Sequence, residues 1–161
     1  MLPTGTLAVS ATDVCNNLNA ANGDLSGDPK ITYMLQASGS EQTATLSTLN
    51  TKIYQLRYVS GVLAGQRMLE TGDNIAGYLA PFPIPEVFRQ INAFALGCRS
   101  VNPNCVVKML LTQTWADQSI ELAGAQKLWV EDNARIIAQN SDSFQGHGFL
   151  VDQQQQGCSF N

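Results

Sequence analysis

The sequence predicts an α/β fold, with parallel sheets flanked by helices, and three observations lead to it. Short apolar runs alternate along the chain with stretches of helical spacing, the pattern of strands joined by crossover helices. Between Asn74 and Phe94 the period changes within one stretch. Ile75 to Ala80 is apolar enough for a buried strand, Pro81, Pro83 and Pro85 alternate, and then Val87, Phe88, Ile91, Phe94 and Ala95 follow helix spacing. Polar loops follow three of the predicted strands, the place where open α/β sheets bind ligands.

Taken in order, Thr6 to Ser10 reads as a short strand, and a helix follows it that ends at Gly23. Residues 23–29 are Gly, Asp, Ser and Pro, a loop by composition. Ile31 to Gln36 reads as the next strand. Residues 47–70 carry a stripe of Leu49, Ile53, Leu56, Val59, Leu63 and Met68 and predict the longest helix. Gly61 and Gly65 lie four apart on it, which implies close backbone packing onto the sheet, since each costs ~1 kcal/mol of helix propensity. Thr71-Gly72-Asp73 stops the helix. After the strand at 75–80, the alternating prolines forbid helix for the residues before them and remove backbone donors, so the chain there is a stiff extended loop. Pro85 suits the first helical position and Glu86 the positive end of the helix dipole. Val106 to Thr112 is a strand, Gln113 to Asp117 its loop, and 118–131 a helix that Asp117 can cap. Ala134 to Gln139 is a further strand with the loop Asn140 to Ser143. Residues 144–156 are weakly helical, and Gly157 onward would start another strand.

The bulk composition removes several function classes. The chain has 161 residues, 44% hydrophobic and 14% charged, with a net charge of −4 and 9 Lys+Arg. No basic block stands out, so nucleic acid and anionic membrane surfaces are not expected partners. No apolar run approaches the ~20 residues of a membrane span. The opening Met-Leu-Pro-Thr-Gly-Thr lacks a positive n-region and an apolar h-region, so it does not read as a signal peptide. Cys15, Cys98, Cys105 and Cys158 form no Cys-x-x-Cys, and the lone His147 cannot complete a usual zinc site; no metal or cofactor is expected. Cys98 and Cys105 bracket a helix end, a turn and a strand start. A disulfide closing that loop is geometrically plausible and implies an oxidising compartment; the alternative is two free thiols.

Phe82-Pro-Ile-Pro-Glu-Val-Phe-Arg-Gln-Ile-Asn-Ala-Phe-Ala-Leu-Gly-Cys-Arg-Ser-Val-Asn-Pro103 resembles the core motif of the basic membrane protein family. Members are substrate-binding lipoproteins of ABC transporters, including purine nucleoside receptors. The likeness extends through Lys52 to Gly65 and is strongest from Phe82 to Asp142. It implies part of a two-lobed, type I periplasmic-binding fold, with residues 1–71 a piece of the first lobe and 72–161 a piece of the second. It also implies a small-molecule ligand of the purine nucleoside type, an ABC permease as partner and an extracytoplasmic or membrane-anchored setting. By the same resemblance Trp115 stands where nucleoside receptors carry a base-stacking aromatic residue, and Asp142 lies in the loop facing the cleft.

The residues themselves point to the same edge. Phe82 and Trp115 supply aromatic faces, which stack on a flat base for about 1–3 kcal/mol each. Asn140, Asp117 and Asp142 supply polar contacts, and an apolar wall with a few polar groups suits a small neutral ligand. Each has a structural alternative: Trp115 as loop packing, Phe82 as an anchor for the proline loop, Asp117 and Asp142 as helix caps. Two other functions compete with solute binding. An enzyme on a doubly wound sheet is disfavoured by the absence of glycine-rich phosphate loops, Gly-x-Ser-x-Gly and paired Cys/His. A truncated relative that no longer binds, or serves as an interaction fragment, is the other.

Overall fold

The structure is a computed structural model, and it describes residues 33–36, 46–49 and 51–158. The chain divides into two compact units, 1–52 and 53–161. In the first, strands β1 (Tyr33–Gln36) and β2 (Leu46–Leu49) pair in parallel, Tyr33 opposite Leu46 and Gln36 opposite Leu49. The strand and helix expected between residues 6 and 23 lie outside the described residues.

The second unit begins with helix α1 (Ile53–Thr71), shorter than the expected 47–70 at its start. Leu49 is in phase with the apolar stripe of the helix, so periodicity alone runs the helix through it. Leu46 to Leu49 instead forms β2, and the helix begins only at Ile53. Gly72, with φ of +78°, takes the left-handed turn that ends α1. There follow β3 (Ile75–Ala80), α2 (Pro85–Val101), β4 (Val106–Leu111), α3 (Gln118–Val130), β5 (Ile136–Gln139) and α4 (Gln145–Cys158). Helix α4 covers Gly157 and Cys158, where a strand was expected to start.

Strands β3, β4 and β5 form one parallel sheet in the order β4-β3-β5. The central strand is apolar on both sides because helices cover both faces. Successive side chains alternate between the faces. Ala76, Tyr78 and Ala80 join Ala64 and Met68 of α1 and Val87, Ile91 and Phe94 of α2 in one core. Leu79 joins Ala125 and Leu128 of α3 in the other, with Ile75, Ile137 and Phe149 packed against them. Fully burying a side chain such as Leu79, Phe94 or Met68 contributes ~1.5–3 kcal/mol, so β3 and its two helical layers dominate the stability of this unit. The Tyr78 and Phe94 rings meet edge to face at 5.5 Å.

Helices α1 and α2 touch backbone to backbone. A Cβ built on Gly61 would fall 2.0 Å from the Phe94 carbonyl oxygen, and one on Gly97 would fall 2.0 Å from that of Tyr58. Glycine is therefore required on both helices, and the two glycines that propensity alone disfavours in α1 pack onto the backbone of α2 at Phe94 and Cys98, not onto the sheet as expected. This contact also places α1 with the second unit. The sequence reading divided the chain at 71/72, whereas the compact units divide at 52/53.

At the far end of α2, Cys98 and Cys105 are joined by a disulfide with Cα atoms 6.1 Å apart. Between them Asn102 is buried and shapes the turn. Its side chain donates to Asn74 Oδ1 at 3.1 Å and accepts from the Asn104 N–H at 3.1 Å.

Candidate functional site

Parallel strands joined by crossovers bring their carboxyl ends to one edge, and backbone hydrogen bonds fasten the loops there. The Thr112 N–H donates to the Ala80 carbonyl and the Gln113 N–H to that of Pro81, both at 2.8 Å. The Asn140 N–H donates to the Leu79 carbonyl at 2.9 Å, and the Asp142 N–H to the Trp115 carbonyl at 2.6 Å. The loops after β4 and β5, on opposite sides of the sheet, thus meet over the end of β3. Gln113 holds a left-handed backbone (φ 57°) at the first turn after β4, a conformation that costs a non-glycine residue of order 1–3 kcal/mol.

The aromatic pair sits on this edge. The Phe82 and Trp115 rings lie 5.8 Å apart and tilted by 52°. Both are half-buried, and Trp115 also packs, with Ile84, against the core cluster that contains Tyr78. Trp115 is therefore a wall with one side in the core and part of its surface open.

Asp117 has a different position. Its carboxylate accepts from the Ser119 and Ile120 N–H groups, both at 3.0 Å, and from the Ser119 hydroxyl at 2.9 Å, which makes it the N-cap of α3. The Ile120 amide, then the Ser119 hydroxyl, hold its pKa below the ordinary carboxylate value. Asp142 is exposed, its backbone tied to Trp115. No side-chain hydrogen bond joins it to the described residues.

Asn140 is the hub of a network that the sequence did not disclose. Its Oδ1 accepts from Arg57 Nη2 at 2.8 Å and from the Tyr78 hydroxyl at 3.3 Å. Arg57 Nε donates to Gln90 Oε1 at 3.3 Å, and Gln90 Nε2 donates to Glu86 Oε1 at 3.3 Å. Burial pushes the Tyr78 phenol pKa up while Arg57 draws it partly back, so Tyr78 stays a neutral donor. Helix α1 brings Arg57, α2 brings Gln90 and Glu86, β3 brings Tyr78 and the end of β5 brings Asn140. The signal in the sequence was Gln90, a polar residue at a core-facing position of an apolar stripe and 6% exposed.

On the opposite face of the sheet, Glu121 is fully buried. Its Oε2 accepts from Gln139 Nε2 at 2.9 Å and from the Ser143 hydroxyl. Gln139 Nε2 also reaches the carbonyls of Ser141 (3.0 Å) and Ser143 (2.5 Å). This cluster fixes the loop 140–143 from below. His147 is exposed. Among the described residues no group of His, Cys, Asp and Glu is arranged to hold a metal ion, and no helix is long and apolar enough to cross a membrane.

Comparison with known proteins agrees with this architecture. Residues 9–159 match the family of PnrA-like ABC transporter substrate-binding proteins. A purine-binding protein of Brucella abortus is 40% identical over 107 residues, 66% of this chain and 29% of that protein. A putative ABC transporter glucose-binding protein of Haloferax volcanii is 38% identical over 112 residues, 70% of this chain and 28% of that protein. The chain thus spans less than a third of the length of either curated relative. Among solved structures, an ABC transporter solute-binding protein of Aeropyrum pernix superposes with a TM-score of 0.69 at 15% identity, covering 89% of this chain and 41% of that one. One from Conexibacter woesei gives 0.59 at 18% identity, covering 86% and 45%. The matched fold, the parallel sheet with its ligand-type loop edge and the family match over nearly the whole sequence together show that this chain belongs to the PnrA-like family of ABC transporter substrate-binding proteins.

Proposed function

We propose that this chain contributes part of the binding cleft of a receptor that captures a purine nucleoside or a similar flat small molecule and delivers it to an ABC permease. The observation that carries the reading is the Phe82–Trp115 pair beside the Asn140 network on one sheet edge. A tilted aromatic pair with polar groups next to it suits a ligand with one flat apolar part and one hydrogen-bonding part. Trp115, Phe82, Asn140 and Asp142 are the proposed contacts, with Asp117 shaping the loop as a cap. The two units, 1–52 and 53–161, are read as pieces of two lobes, and the role as binding without turnover. The disulfide favours an extracytoplasmic location, where such bonds persist.

A sugar is the second reading, favoured by the relative described as glucose-binding, since aromatic faces and amides also receive pyranose rings. Isothermal titration calorimetry on the full-length protein with adenosine, guanosine, inosine and glucose separates the two. Binding of a purine nucleoside is the expected result. Heat with glucose and with none of the purines overturns the purine reading.

A further inference from the structure

We infer that Arg57 turns the Asn140 side chain so that the two together present N–H donors at this corner of the cleft, and the ligand presents adjacent hydrogen-bond acceptors there, as a 6-oxopurine does and a 6-aminopurine does not. The inference rests on the purine reading above and adds which purine class the site takes.

The polarity of the network follows from hydrogen counting. A guanidinium donates five N–H bonds and accepts none. Arg57 therefore compels both amides it touches to turn their oxygens towards it, Gln90 Oε1 on one side and Asn140 Oδ1 on the other. The Tyr78 hydroxyl also donates to Asn140 Oδ1, so that oxygen holds two donors and is fully engaged. Asn140 Nδ2 is left without a hydrogen bond to any described residue, and it carries two N–H donors. Gln90 is anchored at its other end, where Nε2 donates to Glu86, so it cannot reverse to relieve Arg57.

Arg57 has no ion-pair partner among the described residues. The ion pairs among the described residues join Arg67 to Glu70, Arg89 to Glu86 and Lys127 to Glu131, and none includes Arg57. Two of its five N–H groups are engaged by described residues, those that reach Gln90 and Asn140. The half-buried side chains of Arg57 and Asn140 thus offer N–H groups and, among the described residues, no free acceptor of their own.

The two purine classes meet such a corner differently. A 6-oxopurine carries O6 and N7 side by side, both acceptors, and this edge is the one guanidinium groups bind in bidentate fashion. A 6-aminopurine places an N–H₂ donor beside N7, so one donor of the corner would face another donor.

Calorimetry on the full-length protein tests this with inosine and adenosine, which differ in the group at C6 and in the proton that inosine carries on N1. Inosine is expected to bind at least about tenfold tighter. Asn140→Asp is the informative variant. Aspartate accepts from Arg57 and Tyr78 as asparagine does, so the fold is kept, but its outward atom becomes an acceptor. The variant is expected to keep the thermal midpoint of the wild type and to shift the inosine-to-adenosine ratio towards adenosine. Arg57→Met is expected to weaken inosine binding more than adenosine binding. Wild-type protein that binds adenosine as tightly as inosine, or an Asn140→Asp variant with an unchanged ratio, overturns the inference while leaving the purine reading intact. Binding of neither nucleoside overturns both.

Discussion

Asp117 and Trp115 stand two residues apart in one loop, and their surroundings give them different work. The Asp117 carboxylate is committed to the first turn of α3. Its depressed pKa means that the folded state favours the charged form. That contribution is fully present above the unfolded carboxylate value, about 3.9, and is lost as the pH falls through the lower folded value. Asp117→Ala is therefore expected to lower the thermal midpoint at neutral pH, with the gap to wild type closing in acid; a gap that stays constant down to low pH would contradict the cap. Trp115 is half-buried at the carboxyl edge of the sheet. Trp115→Ala in the full-length protein is expected to weaken nucleoside binding by about 1–3 kcal/mol while the circular dichroism spectrum is retained. Unfolding on substitution, or unchanged affinity, would assign the ring to packing. Trp115 and Asp117 were legible because an aromatic residue in a polar loop and an acid before an apolar helix each have a local pattern. Arg57 was not, because an arginine on a helix flank reads as solvated, and only the fold brings it to Asn140, 83 positions along the chain.

At the level of elements, the glycines of α1 and the sheet strands were readable from the sequence, and the start of α1 was not. Gly61 and Gly65 signalled close packing, but the partner, the backbone of α2 at Phe94 and Cys98, came only from the structure. Gly61→Ala or Gly97→Ala forces a methyl group against a carbonyl oxygen. Either change is expected to cost at least about 1–3 kcal/mol, measured by urea denaturation, whereas Gly72→Ala would act through its positive φ alone, with nothing within 4 Å of the added methyl. Residues 46–49 show the limit of periodicity. A short strand whose leucines happen to fall in helical phase cannot be told from a helix without its pairing partner, here β1.

At the scale of the whole molecule, the alternation of elements foretold a parallel sheet, but not that β3 would be its centre, with β4 and β5 on either side. That order depends on which crossover goes in which direction. It matters for the site, because the proline loop after β3 is then flanked by the loops that carry Trp115 and Asn140. The Cys98–Cys105 link ties the end of α2 to the start of β4 on the opposite edge from the site. Replacing both cysteines by serine is expected to cost about 2–3 kcal/mol, as the closure entropy of so short a loop implies, and to leave ligand affinity unchanged in calorimetry. Finally, the seam of glycines between α1 and α2 has a kinetic reading. Two helices whose backbones touch cannot part by a side chain changing rotamer, so neither exposes its amides without the other. In native-state hydrogen exchange, α1 and α2 should open as a single cooperative unit with one shared free energy. Arg57 on one helix and Gln90 on the other would then be held at a constant spacing between openings, so the contact proposed for Arg57 would be set before any ligand arrives.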